Sequence, residues 1–143
     1  MLGTDESKKK KKGSHARVLI VEDDAGVRRT VEQCLKKIGI TNITIAEDGL
    51  DAWKKIEPTP SAFDLIISDW NMPFVTGIEL LEHIREVKIR TPFIMITAKD
   101  SFEAAIEAKN AGVTVFVPKP FTVQHFNSKV YEVLGKLLPS SSE

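Results

Sequence analysis

Apolar residues recur along this chain in two alternating rhythms. Five short runs, VLIV (18–21), ITIA (43–46), LIIS (65–68), FIMI (93–96) and VFV (115–117), are rich in β-branched side chains. Most lack the in-out alternation of a one-sided sheet, which predicts strands buried on both faces. Between the runs the spacing becomes helical. Val27, Val31, Cys34/Leu35 and Ile38 form one stripe, closed by Gly39 as the expected C′ residue. Asp48 is a good N-cap for a second helix bearing Ala52, Trp53 and Ile56, and Pro58 ends it. Leu80, Leu81, Ile84 and Val87 mark a third. The segment SFEAAIEAKNAG (101–112) offers only Phe102 and Ile106 as large anchors for a fourth. A fifth begins at Thr122 and carries Val123, Phe126, Val130, Leu134 and Leu137.

Five βα units in strict alternation predict an α/β fold, a single doubly wound parallel sheet with helices on both faces. A chain of 143 residues fits one such domain and can bury a proper core. We place the domain at residues 16–138, behind a disordered Lys-rich tail (1–15) and before a short C-terminal tail (139–143). In sheets of this kind the chemistry collects beyond the carboxyl ends of the strands. There the sequence puts Glu22, Asp23 and Asp24 after the first run and Asp69 after the third, with Asn71 two further on. Thr97 and Ala98 follow the fourth, and Pro118, Lys119 and Pro120 follow the fifth.

Singly, each has an ordinary explanation. Asp24 reads as an N-cap, an Asp after a strand as a turn residue, and Lys119 as a loop lysine. Together, at the ends of adjacent strands, they predict a site. Two carboxylates ~4 Å apart at an effective dielectric of ~20 repel by about 4 kcal/mol. A cluster of three therefore raises its pKa values or draws in a cation. All-oxygen ligation suits Mg²⁺, which commonly accompanies phosphate. The set fits phosphoryl transfer to a carboxylate, with Asp69 attacking while the metal and Lys119 neutralise phosphoryl oxygens.

Charge and composition add exclusions. Twenty Lys+Arg balance twenty Asp+Glu, so no nucleic-acid partner is expected, although Lys8–Lys12 concentrates charge near the N-terminus. One cysteine, Cys34, excludes an internal disulfide and reads as core. No apolar run approaches the ~18 residues of a membrane span, and the N-terminus lacks a signal's apolar stretch. We expect a cytoplasmic monomer. His15, His83 and His125 read as tail or surface positions.

VLIVEDD (18–24), LIISDWNMP (65–73), MITA (95–98) and FVPKPF (116–121) together resemble the receiver domains of two-component response regulators. AEDGLDAW (46–53), SDWNMP (68–73) and GIELLEHIR (77–85) are similar, segment by segment, to the chemotaxis members. The resemblance implies a flavodoxin-like sheet of order 2-1-3-4-5 with five helices. It makes Asp69 the phosphoacceptor and gives Mg²⁺ to Glu22, Asp23, Asp69 and the backbone carbonyl of Asn71. Thr97 and Lys119 would contact the phosphoryl group, the Lys119–Pro120 bond would be cis, and Ala98 would leave room for the donor, a sensor histidine kinase.

Output would pass through the face of helix four, strand five and helix five to a flagellar motor switch protein. The short segment after the last helix favours a stand-alone regulator. A phosphorelay intermediate or a receiver of a larger regulator is the alternative. The chain would catalyse only its own phosphotransfer and autodephosphorylation. Three positions depart from the chemotaxis pattern. Phe116 replaces a tyrosine, so an aromatic switch there has no phenolic hydrogen bond. Lys99 replaces an acid at a position that, with Asn71, tunes phosphoryl lifetime, and is expected to slow water by covering the phosphoryl group. PFVTG (73–77) lacks the usual Met and Asp, and Thr76 is expected to cap the helix instead.

Two other functions remain in view. An aspartate-nucleophile phosphatase of the haloacid dehalogenase type would need a second Asp where Asn71 stands. A flavodoxin-like electron carrier would need Ser, Thr and Gly in the acidic first turn.

Overall fold

Strand and helix alternate throughout residues 15–138, the part of the chain that the computed structural model describes. The strands are β1 (Arg17–Val21), β2 (Asn42–Ala46), β3 (Leu65–Asp69), β4 (Phe93–Thr97) and β5 (Val115–Pro118). The helices are α1 (Ala25–Lys37), α2 (Gly49–Ile56), α3 (Gly77–Glu86), α4 (Phe102–Ala111) and α5 (Val123–Leu134), with short 3₁₀ turns at Pro60–Ala62 and Gly135–Leu137. All pairings are parallel and the order is β2-β1-β3-β4-β5, as the resemblance implies. Residues 1–14 of the expected Lys-rich tail and residues 139–143 lie outside the described part.

Strand periodicity splits the core into two layers. Leu19, Val21, Ile66, Phe93 and Met95 pack with buried residues of α2, α3 and α4. Val18, Ile20, Leu65, Ile67, Ile94, Ile96 and Val117 pack with Val31, Cys34, Leu35, Phe126, Val130 and Leu134 of α1 and α5. The three central strands have no solvated face, which is why their sequences are nearly continuous apolar runs. The edge strand β2 is only half-buried over Ile43–Ile45.

Local signals close the elements as expected. Asp24, Asp48 and Thr122 each accept a backbone N–H as N-caps of α1, α2 and α5. Gly39 takes φ 89° after α1. Thr76 does replace the missing Asp. Its hydroxyl accepts from Glu79 N (3.2 Å), while the Glu79 carboxylate accepts from Thr76 N (2.9 Å), a complete capping box.

Several expected anchors prove to be exposed. On α4, Phe102 is 77% and Ile106 41% exposed, and the helix buries Ala104, Ala108 and Ala111 instead. These alanines, four and three residues apart, form the inward stripe, and with no side chain beyond Cβ they hold α4 by little apolar area. Val87 lies beyond the last turn of α3 as its C-cap and is exposed. Val123 and Leu137, at the two ends of the last helical segment, are exposed as well, which leaves α5 three buried anchors. Trp53, expected in the core, is half-buried with its ring edge-on to the exposed His83.

One glycine is dictated by close approach. Gly77 N donates to Trp70 O at 2.8 Å, and a Cβ at residue 77 would lie 2.1 Å from Asp69 O and 3.0 Å from Met95 Sδ. The start of α3 therefore presses on the peptide of the candidate acceptor. Gly77→Ala should cost about 1–3 kcal/mol by overpacking, seen as a lower urea midpoint with an unchanged m-value.

Candidate functional site

Parallel register assembles the rim. Val21 pairs with Ser68, Asp69 with Ile96, and Thr97 with Pro118. The ladders then continue one residue past the strands: Glu22 N donates to Ala46 O (3.1 Å), Trp70 N to Ile96 O (3.1 Å) and Lys119 N to Thr97 O (2.7 Å). Residues remote in sequence are thus fixed at one height by main-chain bonds. Their side chains meet beyond the sheet.

Glu22 and Asp69 are buried, and Asp23 is exposed beside them. One carboxylate oxygen from each of the three lies within 4.8 Å of the others. Lys119 Nζ sits 3.3 Å from Asp69 Oδ1 and 3.7 Å from Glu22 Oε1. Trp70 N also donates to Asp69 Oδ1 (2.8 Å), fixing the carboxylate from its own backbone. Burial and the charge of Asp69 push the Glu22 carboxyl up to about 7, against the pull of the Asp24 N–H and Lys119. Three carboxylates facing one ammonium leave negative charge uncompensated. Hard oxygen donors with that surplus fit a divalent cation such as Mg²⁺.

The remaining expected residues surround this group. Thr97 is fully buried, and its Oγ1 accepts the Lys99 N–H at 3.0 Å. Ala98 is exposed and lines a cleft of about 460 Å³ with Val27, Thr30, Lys119, Pro120 and Phe121. Asn71 follows on the exposed loop after Trp70. The Lys119–Pro120 peptide is cis. Phe116 is half-buried with its ring edge-on to Trp70 at 6.4 Å. Lys99, expected to cover the phosphoryl group, has its ammonium 5.1 Å from the centroid of the Trp70 ring.

Three supporting residues were not singled out in the sequence. Arg28, one turn into α1, donates from Nη1 to Glu22 O (2.8 Å) and so holds the first acidic loop. Ser68 Oγ donates to Asp69 O (2.8 Å) inside the sheet. Gly77 crowds that same carbonyl. A serine beside Asp69, inside an apolar run, was the one legible hint.

The Glu22 shift has a thermodynamic consequence with a definite sign. Between pH 4.5 and about 7 the folded state retains a proton that the unfolded chain has released. Stability therefore falls as pH rises through that window. In the presence of a chelator, Tm should decline from pH 5 to 7, and Glu22→Gln should flatten the decline.

The chain matches the family model for the response regulator receiver domain over residues 18–131. It is 37% identical over 123 residues to the chemotaxis protein CheY of Pseudomonas aeruginosa, covering 85% of this chain and 98% of that protein. To CheY-3 of Vibrio cholerae it is 39% identical over 124 residues, covering 85% and 93%. Among solved structures, Vibrio cholerae CheY4 superposes with a TM-score of 0.74 at 35% identity, covering 83% of this chain and 98% of that one. The receiver domain of the Francisella response regulator 1452 gives 0.77 at 31%, covering 85% and 98%. With the fold, the acidic trio and these matches in agreement, the chain belongs to the response regulator receiver domain family.

Proposed function

We propose that this protein is a response regulator, phosphorylated on Asp69 by a sensor histidine kinase and acting in chemotaxis. The observation that carries the reading is the placement of Lys119 Nζ 3.3 Å from an Asp69 carboxylate that also belongs to an acidic trio. In the transfer a bond forms between an Asp69 carboxylate oxygen and phosphorus as the donor's P–N bond breaks, and the imidazole leaves with the electron pair. Lys119 meets charge on the phosphoryl oxygens and Thr97 supplies a hydroxyl to them. Glu22, Asp23, Asp69 and the Asn71 carbonyl would hold Mg²⁺, which neutralises phosphoryl charge when bound. Ala98, with a methyl group at the lip of the cleft, leaves the approach open. The same groups serve autodephosphorylation, with no outside metabolite turned over. The cytoplasm, where a kinase and a motor switch protein are both reachable, is the fitting compartment.

The output reading rests on α4. Its inward face is alanine, so little apolar contact opposes its displacement when Thr97 turns towards the phosphoryl group and Phe116 follows. The exposed Phe102 and Ile106 then belong to the α4–β5–α5 surface offered to a flagellar motor switch protein. The chemotaxis assignment draws on the matched relatives, which this chain covers over 93–98% of their length.

Intact mass after acetyl phosphate with Mg²⁺ tests the chemistry. Wild type should gain one phosphoryl group and Asp69→Asn none; an adduct on Asp69→Asn would place the acceptor elsewhere. Thr97→Ala should still be phosphorylated but lose most of the phosphorylation-dependent gain in affinity for a motor switch protein, read by pull-down. A full gain in Thr97→Ala would remove the coupling.

A further inference from the structure

Lys99 makes two contacts beside Asp69, one to a residue of β4 and one to the residue after β3. Its backbone N–H occupies a lone pair of the buried Thr97 hydroxyl at 3.0 Å. Its ammonium lies over the indole of Trp70, 5.1 Å from the ring centroid. Trp70 is itself immobilised: it is buried, its N–H donates to Ile96 O and Asp69 Oδ1, and its ring meets Phe116 edge-on. A side chain that is otherwise exposed is therefore tied to a buried aromatic at the site. The tie bridges the end of β4 to the end of β3.

We propose that Lys99 is a positioning residue, a latch whose seat on Trp70 holds the 98–101 hinge and keeps the Thr97 hydroxyl in its resting place. The inference rests on Asp69 being the phosphoacceptor and Thr97 its responding hydroxyl. For Thr97 to turn towards a phosphoryl oxygen, either its bond from the Lys99 N–H breaks or the Lys99 backbone follows. Following draws the side chain away from the indole. Both routes work against the latch, so the resting state gains by it. An exposed cation–π contact shifts such a balance about two- to fivefold. Lys99 then acts before phosphorylation, by making the active arrangement harder to reach. This differs from covering the phosphoryl group once it is present.

Beryllofluoride with Mg²⁺, a non-transferring phosphoryl mimic, separates these cases by calorimetry. Lys99→Met, which keeps the stem and removes the charge, should bind it about two- to fivefold tighter than wild type. Lys99→Arg, which can stack on the same ring, should restore wild-type affinity. In a Trp70→Leu background the further change to Lys99→Met should have no effect. Amide exchange offers a readout independent of that core substitution: in the unliganded Lys99→Met protein, residues 98–101 should exchange faster than in wild type. Unchanged or weaker beryllofluoride binding by Lys99→Met overturns the latch, as does an effect that persists without the indole or exchange that stays at the wild-type rate. If wild type binds no beryllofluoride, or Asp69→Asn binds it equally, the acceptor reading fails and the latch with it.

Discussion

The main-chain ladder running one residue beyond each strand is the constraint on which the site depends. Glu22, Trp70 and Lys119 are each held by a backbone N–H to a neighbouring strand's carbonyl. Their backbones cannot move apart without breaking sheet bonds, which keeps the side chains within reach of one another. This is how two buried carboxylates can sit beside a third despite a repulsion of several kcal/mol at contact. The two core layers supply the stability to hold that arrangement, and the rim concentrates the charge conflict where a bound divalent cation would relieve it.

Counter-charges are distributed unevenly, and the asymmetry is informative. Arg28, a second cation nearby, binds the Glu22 backbone carbonyl instead of a carboxylate, and the Lys99 ammonium lies over Trp70, so neither neutralises the acids through an ion pair. Lys119 alone reaches the acid oxygens from a cationic side chain among the described contacts. Burial, with the charge of Asp69, therefore keeps the Glu22 carboxyl raised, to about 7. A metal-free rim is poised between holding a proton and holding a cation. Mg²⁺ occupancy would couple to proton release there by simple competition for the same oxygens.

Much of this was legible in the residue order. Continuous β-branched runs identified the buried strands, and the punctuation by Asp24, Asp48, Gly39 and Thr76 placed helix ends because each signal is local. The acids, Thr97 and Lys119 were legible because parallel strands send their carboxyl ends to one edge, whatever the loops do. The large apolar residues of α4 are not its anchors. Phe102 and Ile106 share the outward face, and the inward stripe is the alanines, whose small size gives little periodic signal. Gly77's crowding of Asp69 O, the Arg28 bond and the seat of Lys99 on Trp70 depend on tertiary geometry that spacing does not encode.

The thin packing of α4 and the modest Lys99–Trp70 contact belong to one energetic scale. Driving a two-state element from 1:99 to 99:1 takes about 5.5 kcal/mol of differential interaction. A phosphoryl group brings about −1.5 to −2 charges to a site already holding a lysine, a hydroxyl and the makings of a metal centre. A helix anchored by several leucines would oppose displacement by an amount comparable with the whole of that drive. One held by Ala104, Ala108 and Ala111 does not. With the large term small, contacts worth a fraction of it, such as an ammonium on an indole, become able to set the resting population. On the proposed switch, side chains as small as alanine on α4 and a tuning residue outside the contacts of Asp69 follow from one physical reason.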